Sequence, residues 1–338
     1  MNSSSPGLTT EFSTREACEF DPIIVQNGSA RVLRKTLADD VRELSKCNPL
    51  RLIWATSYTW LLCMGILWYG SAYAPWWLLP LVIIVLAARQ HALGVLMHEV
   101  THYRFLKNRA LSDFLGNICM AYPILFTVEG YRTNHLAHHS HLNSDEDPDW
   151  QLKKGKPEWE FPQSKQAFLL RMLRLVFFGG IVYWVSRIKR FATQKSQTTT
   201  RKLLTIQRVY YLLILGAVCY FGAWMVLGLW IVPLFTILPA IARIRSIAEH
   251  FGMSWENDFN MSRSIECSWL ERFLIGPFYI HYHLEHHLYP SVPFHNLPAL
   301  HKRLRDEPEF AQQAHMTTSY FFPYQGSLLQ EITEGKTH

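Results

Sequence analysis

The 338-residue chain is most telling where it lacks charge: residues 52 to 88 contain no Asp, Glu, Lys or Arg, and neither do residues 209 to 242. A uniformly solvated surface is excluded for both stretches. The chain also lacks any CxxC pair among Cys18, Cys47, Cys63, Cys119, Cys219 and Cys267. That leaves no dithiol redox motif or cysteine zinc knuckle, and free thiols in a reducing compartment are expected. The first 50 residues lack the short basic-then-apolar run of a cleavable signal peptide. They read as a cytoplasmic N-terminal tail, residues 1–50, ahead of a membrane-bound domain over 51–338. No basic stripe with interleaved aromatics falls in an aqueous segment, so nucleic acid is not an expected partner.

What is present is a partition between long apolar runs and charged segments. Each charge-free block is about twice a minimal span, given roughly 1.5 Å of rise per residue and a hydrocarbon core near 30 Å. Each is therefore expected to fold as a hairpin, broken at Gly70 to Pro75 in the first and near Gly228 to Pro233 in the second. The expected architecture is an all-α integral membrane protein with four transmembrane helices, at about 52–69, 76–95, 209–226 and 229–245, and a cytoplasmic histidine-rich cap. Neither hairpin tip carries Lys or Arg, whereas Arg31, Arg34, Lys35, Arg187, Lys189, Arg190, Lys195, Arg201, Lys202, Arg208, Arg243 and Arg245 crowd the flanks. The net charge of +6 is thus a topology signal, placing both termini and the middle segment in the cytoplasm. Residues 168–186 carry Arg171 and Arg174 on one helical face and read as an interfacial amphipathic helix. The stretch from Leu111 to Val128 reads as interfacial or re-entrant.

Of the sixteen histidines, eight fall in three clusters: His98 and His102 in HEVTH, His135, His138 and His139 in HLAHH, and His283, His286 and His287 in HLEHH. Residues three or four apart share a helix face, so each cluster can turn its imidazoles to a common point. Neutral imidazole is a ligand for iron, copper, nickel or zinc, and eight exceed what one ion can take, so two metals are expected. The helix starting near Trp76 would run about 40 Å to His102, projecting its last turns into the cytoplasm. An even number of crossings separates the three clusters, which lets them meet. His91, His141 and His281, close to the clusters, read as structural histidines. HEVTH also satisfies HExxH, in which Glu99 would act as general base of an intramembrane zinc metalloprotease, but that reading leaves both HxxHH clusters idle.

HEVTH, the HLAHH of RTNHLAHHSHLNSDEDPDW, and HYHLEHHLYPSVPFHNLPALH together resemble the three histidine boxes of the membrane-bound fatty acid desaturase family, in the family's order, from about Gln90 to His301. The resemblance implies two Fe ions, dioxygen as cosubstrate, an acyl chain threaded into an apolar tunnel, and two electrons from a separate donor such as a ferredoxin or cytochrome b type protein. No HPGG haem motif is present, in keeping with a separate donor. Carried over by position, the eight box histidines become iron ligands, and His250, just after the last expected span, becomes a ninth. Glu99, Asp145, Asp147 and Glu249 are expected to orient the imidazoles, with Glu146 and Asp149 beside them. The family implies desaturation of an acyl-lipid or acyl-carrier substrate, with hydroxylation, ketolation and decarboxylation to a terminal alkene as alternative outcomes of similar boxes.

Overall fold

A computed structural model describes residues 36–185 and 201–335. The tail before Thr36, with Arg31, Arg34 and Lys35, lies outside the described residues, as do Arg187, Lys189, Arg190 and Lys195. A short helix α1 (Ala38–Leu44) leads into α2 (Pro49–Ala72), which starts at an N-cap where the Asn48 side chain accepts from Leu50 N at 3.1 Å. Pro49 at the first helical position suits this start, since its missing N–H would have no partner there. After Pro75 a single 3₁₀ turn leads into α3 (Leu79–Thr101), and His102 caps its end. The first hairpin therefore turns within the expected window, between Ala72 and Trp76.

The second hairpin turns elsewhere. Helix α8 (Arg201–Phe221) and helix α9 (Trp224–Phe235) meet at Gly222, whose φ of +65° is the left-handed region a glycine enters without penalty. Pro233 instead lies inside α9, one turn before a bend at Thr236 that opens α10 (Ile237–His250). A proline kinks a helix without having to end it, and apolar residues continue on both sides.

Between the hairpins lie α4 (Arg109–Gly116), continued to Ile124, and α5 (Val128–Ser140), the two bent by 89°. This pair is wedged among the long helices: Trp60 Nε1 donates to Cys119 O at 2.7 Å, Trp230 Nε1 to Pro123 O at 2.9 Å and Tyr211 Oη to Tyr122 O at 3.0 Å. After the short α6 (Pro148–Gln151), α7 (Lys165–Arg174) extends in helical form to Val185. It runs alongside α10. Phe168 packs with Ile247 and Phe251, and Trp184 Nε1 reaches Leu234 O at 2.7 Å.

Among the described residues, five helices are long and apolar enough to cross a membrane, Pro49–Ala72, Trp76–Thr101, Lys165–Val185, Leu203–Phe221 and Trp224–His250, or six if the bent pair counts as one span. The expected four are among them. The fifth is Lys165–Val185, which carries the stretch expected to lie in the interface; it packs along α10 and, further on, against Phe235 at the end of α9. Gly180 allows that approach, since a Cβ on it would collide with the Phe235 carbonyl.

The C-terminal cap follows α10. It comprises α11 (Trp269–Leu274), α12 (His283–Leu288), α13 (Leu297–Arg305), α14 (Pro308–Gln313), α15 (Leu328–Glu334) and a two-stranded parallel sheet, β1 (Ser264–Ile265) with β2 (Met316–Thr317). Leu284 and Leu288 of α12 share a buried core with Leu300 and Leu304 of α13 and with Leu37 and Val41 at the start of the described chain. That core holds the third histidine cluster over the ends of α3, α5 and α10.

Candidate metal centre

Four helices bring nine imidazoles to one place. His98 lies in the last turn of α3 and His102 at its cap; His135, His138 and His139 lie on α5; His250 ends α10; His283, His286 and His287 lie on α12. Helix α5 begins at a Thr127 N-cap whose hydroxyl accepts from Gly130 N at 3.2 Å. Its three-residue spacing then turns His135, His138 and His139 inward. His138 through Ser140 form its last turn, so the second cluster sits at a helix end that α3 and α12 close over.

The ring nitrogens divide into two sets. His98, His102, His135, His139 and His286 form one, with Nε2 separations of 2.8 Å between His102 and His135, 3.0 Å between His139 and His135, and 3.1 Å between His286 and His139. His138, His250 and His287 form the other, which His283, grouped with His250 and Glu249, extends to four histidines; His250 Nε2 lies 3.2 Å from both His138 Nε2 and His283 Nε2, and His287 3.1 Å from His283. The rings of His139 and His287 stack at 4.2 Å and join the sets.

These spacings fit bound metal. Two nitrogens about 2.1 Å from an ion and at right angles to each other lie about 3 Å apart. A neutral imidazole offers one N–H and one acceptor, so converging nitrogens cannot all pair among themselves, whereas a cation satisfies them together. Both ring nitrogens of buried His98 lack a hydrogen-bond partner, which is rare for buried polar atoms without an ion to accept. Burial, reinforced by neighbouring imidazoles, pushes His283, His286 and His287 well below the ordinary histidine range, so they present the neutral form that binds metal.

The acidic residues separate into contributors and bystanders. Asp147 Oδ2 accepts from His138 Nδ1 at 2.9 Å, fixing which nitrogen of His138 faces inward. Glu249 Oε1 lies 3.5 Å from His283 Nδ1 and pairs with Arg245 one turn earlier. Glu99 turns away: its Oε2 accepts from Phe294 N at 3.0 Å, and its Oε1 stays 3.9 Å from His98 Nδ1. Asp145 is at the surface against Lys154, and Glu146 accepts from Ser144 Oγ at 3.0 Å. Asp149 pairs with Lys153 at 2.5 Å. His91 meets Ile275 O at 3.0 Å and His281 meets Ile265 O at 2.8 Å, each away from the nine-histidine set.

The fatty acid desaturase family model matches residues 48–319, which take in all nine histidines. The chain belongs to the fatty acid desaturase family. It is 28% identical to dihydrorhizobitoxine desaturase of Bradyrhizobium elkanii over 71% of each chain. It is 26% identical to the sn-1 oleoyl-lipid 12-desaturase of Arthrospira platensis over 72% of this chain and 73% of the relative. It is 25% identical to the chloroplastic omega-6 fatty acid desaturase of Arabidopsis thaliana over 88% and 68%. As a member of this family, the protein is an oxidoreductase.

Three contributors to this desaturase-family site had no clear mark in the sequence. Glu285, inside HLEHH, is fully buried, accepts from Ser264 Oγ and lies 2.5 Å from His301 Nδ1, tying α12 to α13 and β1. Tyr131 stacks on His135 with ring centroids 5.2 Å apart. Arg245 was legible only as a flanking charge, although its four-residue spacing from Glu249 is the signal of a helical ion pair.

Proposed function

We propose that this protein is an integral membrane di-iron enzyme that uses dioxygen to introduce a double bond into an acyl chain. The observation carrying the reading is the gathering of nine histidines into a five-imidazole set and, beside it, overlapping groups that meet at His250. Imidazole suits iron, and two sets of this size exceed the needs of one ion. An iron pair bound there supplies the oxidising power that hydrogen removal from an unactivated C–H bond demands, with electrons from a separate donor such as a ferredoxin or cytochrome b type protein. The chain's own residues do the positioning: Asp147 orients His138, Glu249 lies beside His283, and Glu285 clamps the helix that carries three of the donors.

The two adjacent sets together draw on the ends of α3, α5 and α10 and on α12, so an even number of crossings must separate these donors from one another. Of Lys165–Val185, Leu203–Phe221 and Trp224–His250, only two can then cross. Leu203–Phe221 and Trp224–His250 form a hairpin, and Arg171 and Arg174 burden the third. This supports four crossings, with the centre and both termini in the cytoplasm.

The relatives named for oleoyl-lipid and omega-6 desaturation support an acyl lipid as substrate. The relative named for dihydrorhizobitoxine acts on a different compound, so product analysis should extend beyond fatty acids. Hydroxylation, ketolation and terminal-alkene formation share the first hydrogen removal and differ in the fate of the carbon it leaves behind. The HExxH peptidase reading is disfavoured by Glu99, whose carboxylate is engaged by Phe294 N. Expression in a host of defined lipids, with mass spectrometry of fatty acids and hydrocarbons, tests the proposal: a loss of two mass units in an acyl chain is expected, absent with His286→Ala. No new product with either protein would overturn it.

A further inference from the structure

A cavity of about 500 Å³ opens between α2, α3 and α11, away from the histidine donors. That volume lies within the range of small-molecule sites. Arg51, Arg89 and Arg272 line it, and among the described residues no acidic side chain does. Arg51, Trp54 and Tyr58 follow one another at three- and four-residue spacing on α2, so they face it together, and the Trp54 and Tyr58 rings stack at 5.4 Å. Trp54 is 65% exposed and Trp269, on the opposite rim, 72% exposed. Exposed tryptophans at the end of an apolar helix belong at head-group level, where the ring is apolar on one side and wet on the other.

Arg89 is the decisive residue. It lies inside α3, is 2% exposed, and its guanidinium caps the Phe273 ring at 3.8 Å while donating to Phe273 O. Its Nε is buried without a hydrogen-bond partner among the described residues. A cation within a candidate span is costly and marks a functional site unless it is neutralised. Here no carboxylate among the cavity-lining residues neutralises it.

We propose that this cavity binds the phosphodiester of an anionic phospholipid, with Arg51 and Arg272 at the mouth and Arg89 at the base. A phosphodiester matches the planar donor fork of arginine, and the aromatic rim matches the glycerol and upper acyl region of a lipid entering sideways from the bilayer. Phe278 and Phe294 form the inner wall. Phe294 N is bonded to Glu99, next to His98, so a lipid held here lies against the metal centre's own scaffold. The proposal rests on the acyl-lipid reading above for what is then done to the lipid, but not for the binding.

Purified full-length protein in non-ionic detergent, titrated with fluorescent phosphatidylglycerol in the absence of any electron donor, tests it without turnover. Arg51 and Arg272 are both exposed, so the double variant Arg51→Gln/Arg272→Gln should fold, and a weakening of about tenfold or more is expected from losing two charge-assisted contacts. Arg51→Lys/Arg272→Lys should recover part of the affinity, and Arg303→Gln, on α13, should leave it unchanged. Short-chain phosphatidylglycerol should displace the probe, whereas inorganic phosphate and laurate at equal concentration should not. Unchanged affinity in the glutamine double variant would overturn the proposal, as would equal displacement by phosphate or laurate. Binding intact here, with no new product in the lipid-profiling experiment above, would instead count against the functional reading alone.

Discussion

At the residue scale, the proposed metal centre needs its imidazoles held by neighbouring carboxylates, Asp147 first among them. Asp147 holds the His138 ring through Nδ1, so Asp147→Ala should lower metal affinity by about 10- to 100-fold, the usual cost of losing such a partner. Asp145→Ala, at a surface pair with Lys154, should leave metal content unchanged by elemental analysis. The sequence could not separate these two, because both lie in one acidic loop and only the turn from His141 to Asp147 decides which carboxylate points inward. A second residue-scale expectation concerns acid stability. Burial alone would raise the Glu331 carboxyl, but His315, Arg263 and Thr317 around it hold it down at about 2 against an ordinary value of 4.5. A carboxyl whose folded value is depressed stabilises the fold above its ordinary value and loses that contribution as pH falls through the interval from 4.5 to about 2. Thermal melts across that interval should show a falling Tm, and Glu331→Gln should flatten the slope; an unchanged slope would refute the assignment.

At the element scale, the long helices were legible because charge is absent over whole spans, and the histidine clusters because their spacing is helical. Two features were hidden. The second hairpin turns at Gly222 and not at Gly228 to Pro233, since a lone glycine's left-handed backbone depends on where the partner helix returns, while Pro233 looks like a stop yet only bends its helix. The packing of α7 and its continuation was hidden because the close approach at Gly180 is to the backbone of Phe235, at the end of α9, and no spacing in the sequence announces it. Gly180→Ala should therefore destabilise the protein by about 1 to 3 kcal/mol through overpacking against Phe235. Gly216→Ala, with nothing within 4 Å of the added carbon, should cost nothing. Detergent-solubilised thermal stability of both variants checks the contrast, and equal effects would contradict the close contact.

At the scale of the whole molecule, the fold gathers donors from α3, α5, α10 and α12 at one end of the spans, and this gathering constrains topology. With four crossings, Cys47 before α2 and a cysteine at Phe221, the last residue of α8, lie on opposite sides of the membrane; with five, including Lys165–Val185, they lie on the same side. Labelling of intact cells with a membrane-impermeant maleimide, in backgrounds carrying only Cys47 or only Phe221→Cys, is expected to modify the latter alone. On the proposed reading, nine imidazoles hold two redox metals. Elemental analysis with iron K-edge absorption on purified protein tests it most directly: two irons per chain in nitrogen-rich coordination are predicted for the native protein, with loss from the four-histidine set in His250→Ala, whereas a single ion, or zinc alone, would contradict the account.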